Sequence, residues 1–202
     1  MKSRGCLIAA AVLIVIAVVA FGIFSWGLGI YNSLVTQDEG VRSAWGQVET
    51  QYQRRLDLIP NLVATVQGVA KQEQAIFIGV AEARAKVGGM TVTKEVLEDP
   101  QAFAKFQAAQ DQLSSALSRL LVVAEQYPQL RSNENFMDLQ KQLEGTENRI
   151  TVARSRYNET VQGYNTTIRR FPGSLVAGFT GFKEKAYFQA KAGAEEAPKV
   201  QF

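Results

Sequence analysis

The sequence predicts an all-α protein, with an N-terminal transmembrane helix followed by a bundle of amphipathic helices. Three observations carry this. Leu7 to Phe24 (LIAAAVLIVIAVVAFGIF) is an unbroken apolar run, which as a helix extends about 27 Å, near the ~30 Å hydrocarbon core of a bilayer. Beyond it, apolar residues recur at threes, fours and sevens over long stretches, the stripe of helices that bury one face. Between the stripes stand Pro60, Gly88-Gly89, Asp99-Pro100, Pro128 and Pro172-Gly173.

Lys2 and Arg4 precede the apolar run, while Trp26 and Tyr31 follow it; aromatic side chains of this kind suit the boundary between lipid and water. A cleavable signal peptide begins in the same way. However, the run exceeds the usual 7–15 apolar residues of a signal, and Ser25-Trp26-Gly27-Leu28-Gly29-Ile30 offers no small-x-small cleavage site. The segment therefore reads as a retained anchor. A lipid anchor on Cys6 is excluded because the cysteine lies before the apolar run rather than after it. The first charged residues beyond the span are Asp38 and Glu39. With Lys2, Arg4 and the terminal amine on the other side, the expected topology is single-pass in the inner (plasma) membrane, N-terminus cytoplasmic and bundle extracytoplasmic.

From Asn32 the stripe Leu34, Val41, Trp45, Val48, Tyr52, Leu56 defines the first bundle helix, and Leu62, Val66, Val69, Ile76, Val80, Ala83 the second, running to Val87. Pro60 between them would remove a backbone hydrogen bond and crowd the carbonyl of Leu56, so a helix boundary is expected near Asp57, with Asp57 as cap. A kinked single helix is the alternative. Asp99-Pro100 reads as cap and first-turn proline of the next helix, whose stripe is Phe103, Phe106, Ala109, Leu113, Leu117, Leu120, Leu121, ending before Pro128. The last long helix begins near Ser132 to Glu134 and carries Phe136, Leu139, Leu143, Ile150, Ala153, Tyr157, Val161, Tyr164, Ile168 and Phe171. That near-seven spacing suits shallow crossing angles in a bundle. Pro172-Gly173 ends it.

Composition narrows the function. With 22 basic and 19 acidic residues, two of the basic ones before the span, the remainder is near neutral and lacks the charge of a nucleic-acid binder. There is no histidine, and Cys6 is the one cysteine. Nucleophile systems built on His, thiol redox chemistry and His/Cys zinc sites are therefore excluded. No cofactor, metal ligand set or catalytic constellation is expected.

The strings YNSLV (Tyr31 to Val35), AWGQVETQYQRRLDLIPNLVATVQGVA (Ala44 to Ala70), EGTENRITVARSRYNETVQGYN (Glu144 to Asn165) and RFPGSLVAGFTGFKEKAYF (Arg170 to Phe188) resemble the LemA family, in order and over nearly the whole chain after the span. The resemblance implies one N-terminal span and an antiparallel four-helix bundle, and it favours the boundary near Pro60. It implies no reaction. A relative within the family takes part in magnetosome membrane biogenesis, which points towards work on membranes.

The expected domains are 1–30, tail and transmembrane helix; 31–171, bundle; 172–189, an amphipathic aromatic-basic segment; and 190–202, a disordered tail. Arg54 and Arg55 form a candidate site for an anionic ligand, set against ion pairing at a bundle end. Glu147, Asn148, Arg149, Asn158 and Asn165 could form a polar network that sets helix register. Trp45, Tyr52, Phe103, Phe106, Tyr157 and Tyr164 read as core rather than as a pocket lining. The pairs Asp38-Glu39 and Glu98-Asp99 read as helix starts. The sequons at Asn158 and Asn165 fall inside a helix and are discounted.

In 172–189, Leu175, Phe179, Phe182, Lys183, Lys185 and Tyr187 are the candidate interaction surface, on a segment expected to return to the bilayer with Leu175, Phe179, Phe182 and Ala186 on one face. The chain is thus read as a membrane-anchored, non-enzymatic bundle protein that self-associates or scaffolds at the membrane. The alternative is a regulator or adaptor of a membrane protease or signalling protein. Expected partners are the lipid bilayer, further copies of the chain and a membrane protein, and no nucleic acid.

Overall fold

The structure is a computed structural model that describes the backbone of residues 2–190 and the side chains of residues 11–190. The side chains of Lys2, Arg4, Cys6 and Leu7, and the tail beyond Ala190 for which disorder is expected, lie outside the described residues. Within them the chain is all-helical: α1 (Lys2–Val69), α2 (Gln74–Gly88), α3 (Lys94–Glu98), α4 (Pro100–Glu125), α5 (Pro128–Arg131), α6 (Glu134–Arg169) and α7 (Gly173–Thr180).

One boundary expected from the sequence is absent, because α1 passes through Pro60 without a break. Pro60 is solvent-exposed and Ile59, Leu62 and Val66 on either side of it are core. The carbonyl that loses its partner to a proline at position 60 is that of Leu56; here it accepts a hydrogen bond from Arg84 Nε at 3.3 Å. The defect is thereby satisfied from α2. Asp57 caps nothing and instead accepts from Gln53 Nε2 at 2.8 Å, one turn earlier in the same helix. The true break comes at 70–73, where the amides of Ala70 and Glu73 bond to the carbonyls of Val66 and Ala70.

The described residues form two compact units, one comprising α1 as far as Val41 with Gln162–Glu184, the other Arg42–Val161 with residues 185–190. In the larger unit, cross-helix pairs fix the directions. Trp45 lies against Tyr157 and Arg55 reaches Glu147, while Tyr127 reaches Glu73 and Lys86 reaches Gln112, so α6 is antiparallel to α1 and α2 to α4. Trp45 lies against Phe103 and Arg55 against Ser114, so α1 and α4 run together. This is the up-down-up-down order of an antiparallel four-helix bundle. Asp99 caps α4 as its sequence predicts, accepting from the amide of Gln101 at 2.8 Å, with Pro100 in the first turn. Asp38 and Glu39, expected at a helix start, lie within α1.

The core of this unit has two parts. Ile59, Leu62, Val66, Phe77, Val80, Leu113, Leu117, Leu120, Leu130, Phe136 and Leu143 make an aliphatic-rich region. Trp45, Tyr52, Phe103, Phe106, Tyr157 and Phe188 make an aromatic one, with ring centroids 4.8 Å apart for Phe103 and Phe188 and 5.6 Å for Trp45 and Tyr157.

In the smaller unit, Leu34 and Val41 of α1 and Tyr164 and Ile168 of α6 are buried, and Thr167 Oγ1 donates to Gln37 Oε1 at 2.8 Å. The chain then turns sharply from α6 into α7. A Cβ at Gly173 would fall on the backbone carbonyl of Thr167, so only glycine allows that approach. Gly173→Ala is expected to cost about 1–3 kcal/mol as an overpacking change. Hydrogen exchange of the full chain in micelles should show faster exchange in α7; unchanged protection there would mean the turn accommodates the methyl freely.

Candidate functional site

Two places collect the residues singled out in the sequence: the aromatic core of the larger unit, and the α6–α7 turn beside the exit of the span in the smaller one. Arg55 belongs to the first. Its spacing from Val41, Val48 and Tyr52 places it on the buried face of α1, and it is 1% exposed. Nη1 donates to Ser114 Oγ at 2.9 Å and to Glu147 Oε1 at 3.0 Å, and Nη2 donates to Gln110 Oε1, itself buried. The guanidinium also lies 5.2 Å from the ring centre of Tyr52. Arg55 is thus committed to an internal network joining α1, α4 and α6, which corrects its assignment to an anionic-ligand site. Arg54 is exposed.

Arg154 forms a second cross-helix centre. Its Nε donates to the Tyr52 hydroxyl at 2.7 Å, and its guanidinium carbon sits 4.9 Å from the ring centre of Phe188. Burial pushes the Tyr52 phenol up, although Arg154 and Arg55 pull the other way, and burial also pushes the Tyr157 phenol up. Both stay neutral and act as hydrogen-bonding groups. Arg149 donates to Gln51 at 3.1 Å and to Thr146 at 3.0 Å from an exposed position, Asn148 is exposed, and Asn165 is buried in the smaller unit. The five residues expected to form one register network are therefore not brought together, and Glu147 joins the internal network through Arg55.

The segment after α7 departs from expectation. It is no helix beyond Thr180, because Gly181 adopts a left-handed φ of 78° and closes α7. From Lys185 the chain, neither helix nor strand, is laced into the larger unit by paired amides. Asn158 donates to the carbonyl of Phe188 at 3.0 Å and accepts from its amide at 2.9 Å. Gln107 does the same for Gln189, at 2.7 and 3.1 Å. The amide of Ala186 donates to Leu97, and Tyr157 donates to the carbonyl of Ala186. Phe188 therefore enters the aromatic core. Lys185, expected on an interaction surface, is 4% exposed and bound to Glu98 at 2.8 Å. The reason is tertiary: the chain returns to the larger unit, where Glu98 at the end of α3 receives the charge of Lys185. Tyr187 remains exposed.

The remaining predicted surface residues gather in the smaller unit. Phe179 is 90% exposed, Phe171 73% and Leu175 55%, while Gly173 and Ala177 turn inward. Lys183 is exposed, and Phe182 lies 5.9 Å from Tyr31, ring centre to ring centre. A groove of about 440 Å³ is lined by Trp26, Ile30 and Ser33 of α1 and by Thr167, Arg170 and Phe171. On the span itself, described side chains from residue 11 to Phe24 are exposed, Phe24 at 64%. An apolar helix surface thus leads directly to an apolar patch at its exit.

Residues 44–202 match the model of the LemA family. The magnetosome proteins MamQ 2 and MamQ 1 of Paramagnetospirillum magneticum are each 31% identical to this chain, over 93% of it and 74% of their own length. Magnetosome protein MamQ of Magnetospirillum gryphiswaldense is 29% identical over 80% of this chain and 65% of its own.

Proposed function

The chain belongs to the LemA family and is a membrane-associated helical protein; from that premise we propose that it is a non-enzymatic scaffold that self-associates at the membrane and organises it. The observation that carries this reading, as work on the membrane rather than as the contact between copies, is the exposed apolar patch of Phe171, Leu175 and Phe179 beside the exit of the span. Contiguous exposed apolar side chains of this size are uncommon outside interaction surfaces. The commitment of Arg55 and Lys185 to internal partners supports the same reading, since buried charges here hold helices in register. The relatives described as magnetosome proteins support a role in membrane organisation. In this proposal the span lies in the inner membrane, with the N-terminus cytoplasmic and the bundle outside.

The protein is expected to stay in the membrane fraction through carbonate and high-salt washes, because a helix held in hydrocarbon is not held by charge. The intact protein, extracted in mild detergent and sized by light scattering, is then expected to run as a homo-oligomer. A monomer would remove the scaffold reading, and a stoichiometric foreign protein in the particle would favour a regulator or adaptor instead.

A further inference from the structure

We infer that α7 and the turn before it lie in the lipid headgroup layer of the leaflet through which α1 leaves the membrane, with Phe171, Leu175 and Phe179 inserted among the acyl chains. The inference rests on the scaffold reading above and names what the exposed patch touches. Its first support is height along α1. At 1.5 Å per residue, Trp26 to Ser33 covers about 10 Å, beginning just past the apolar run that ends at Phe24. The headgroup layer extends roughly 5–8 Å beyond the hydrocarbon, so it takes in Trp26 to Gly29, while Ile30 to Ser33, in a stretch with no charge before Asp38, stand at and just beyond its outer edge.

Both ends of α7 are tied to that same stretch. Gly173, where α7 starts, lines the groove with Trp26, Gly29, Ile30 and Ser33. Phe182, just past its end, packs on Tyr31. A helix of eight residues whose two ends meet the same turns of an upright helix runs across it, and so along the bilayer plane. Its inward face carries Gly173 and Ala177, and its outward face carries Leu175 and Phe179.

Charge and area agree with lipid as the occupant. Arg170 lines the groove and Lys183 is exposed close by in sequence, while Arg169 pairs with Glu184 at 3.7 Å, so Arg170 and Lys183 flank the apolar face in the manner of interfacial helices. Trp26 and Tyr31, partly exposed at the same height, match the aromatic belt of membrane proteins. Two phenylalanines and a leucine offer about 500 Å², short of the ~800 Å² per partner of a stable protein interface. The patch is also continuous with the span's own lipid-facing surface.

The test uses the full chain with Cys6→Ser and Phe179→Cys, spin-labelled at position 179 and reconstituted in vesicles of phosphatidylethanolamine and phosphatidylglycerol. Phe179 packs on almost nothing, so the substitution leaves the fold intact. A label at Val122, exposed on α4, serves as reference. Power saturation is expected to show position 179 open to oxygen and shielded from a water-soluble nickel chelate at least several-fold more than position 122. Equal nickel access at both positions would overturn the inference. So would shielding from both oxygen and the nickel chelate accompanied by dipolar broadening that disappears on tenfold dilution with unlabelled protein, since that pattern means a second copy covers the patch. A monomer in detergent with position 179 in lipid would defeat only the scaffold reading; an oligomer with position 179 in water would defeat only this one.

Discussion

Trp45→Ala is expected to lower the unfolding free energy of the bundle by about 3–5 kcal/mol, the range for deleting a large buried aromatic. For a chain of this size that corresponds to a melting temperature lower by roughly 10 °C. The indole contacts Phe103, Phe106, Tyr157 and Phe188, with centroids 5.6–6.1 Å away, so its loss opens a void shared by α1, α4, α6 and the inserted C-terminal segment. Its Nε1 has no hydrogen-bond partner among the described residues, which means that the rings carry the contribution. Denaturant unfolding of the full chain in micelles, followed by circular dichroism, measures the loss. Ile78→Ala, at an exposed site on α2, should stay within about 0.5 kcal/mol. A Trp45→Ala protein as stable as that control would show that the aromatic cluster is not the packed centre of the bundle.

Arg55→Ala is expected to cost a similar amount, about 3–5 kcal/mol, because it removes one member of a buried charged network and leaves the others facing a void. Gln110 is the most affected, being 1% exposed and dependent on Arg55 for its donor. Glu147 is 39% exposed and can turn to water. Arg55→Met keeps the length of the side chain without the charge, and is expected to recover at least half of the lost stability. The same unfolding measurement distinguishes the cases. If Arg55→Ala unfolds within 1 kcal/mol of the parent, water replaces the guanidinium at no cost and the network does not hold α1, α4 and α6 together.

The positions behind these two expectations differ in how visible they are in the sequence. Trp45 falls on an apolar stripe at helical spacing, and its burial follows from the pattern. Arg55 falls on the same stripe once α1 is read as continuous, since Val41, Trp45, Val48, Tyr52, Arg55, Ile59, Leu62 and Val66 step by threes and fours. A charged residue in register with core positions signals an internal partner. That signal is hidden if a helix boundary is placed near Asp57, because the stripe then ends at Leu56. Gln110 gives a parallel signal between Phe106 and Leu113.

Sequence alone determined what depends on near neighbours. The apolar run, the helical stripes, the Asp99-Pro100 cap, the stop before Pro128 and the break at Pro172-Gly173 all rest on propensities and hydrogen bonds that act within a few residues. Tertiary structure decided the rest. Pro60 remains within α1 because Arg84, 28 residues away in the chain, reaches the carbonyl that the proline strands. Lys185 is buried because Glu98 stands opposite it, and Phe188 enters the core because Asn158 and Gln107 clamp the backbone on either side of it. None of these partners is near in sequence, and an unsatisfied backbone group or a buried charge finds its partner only when the helices that carry them are packed.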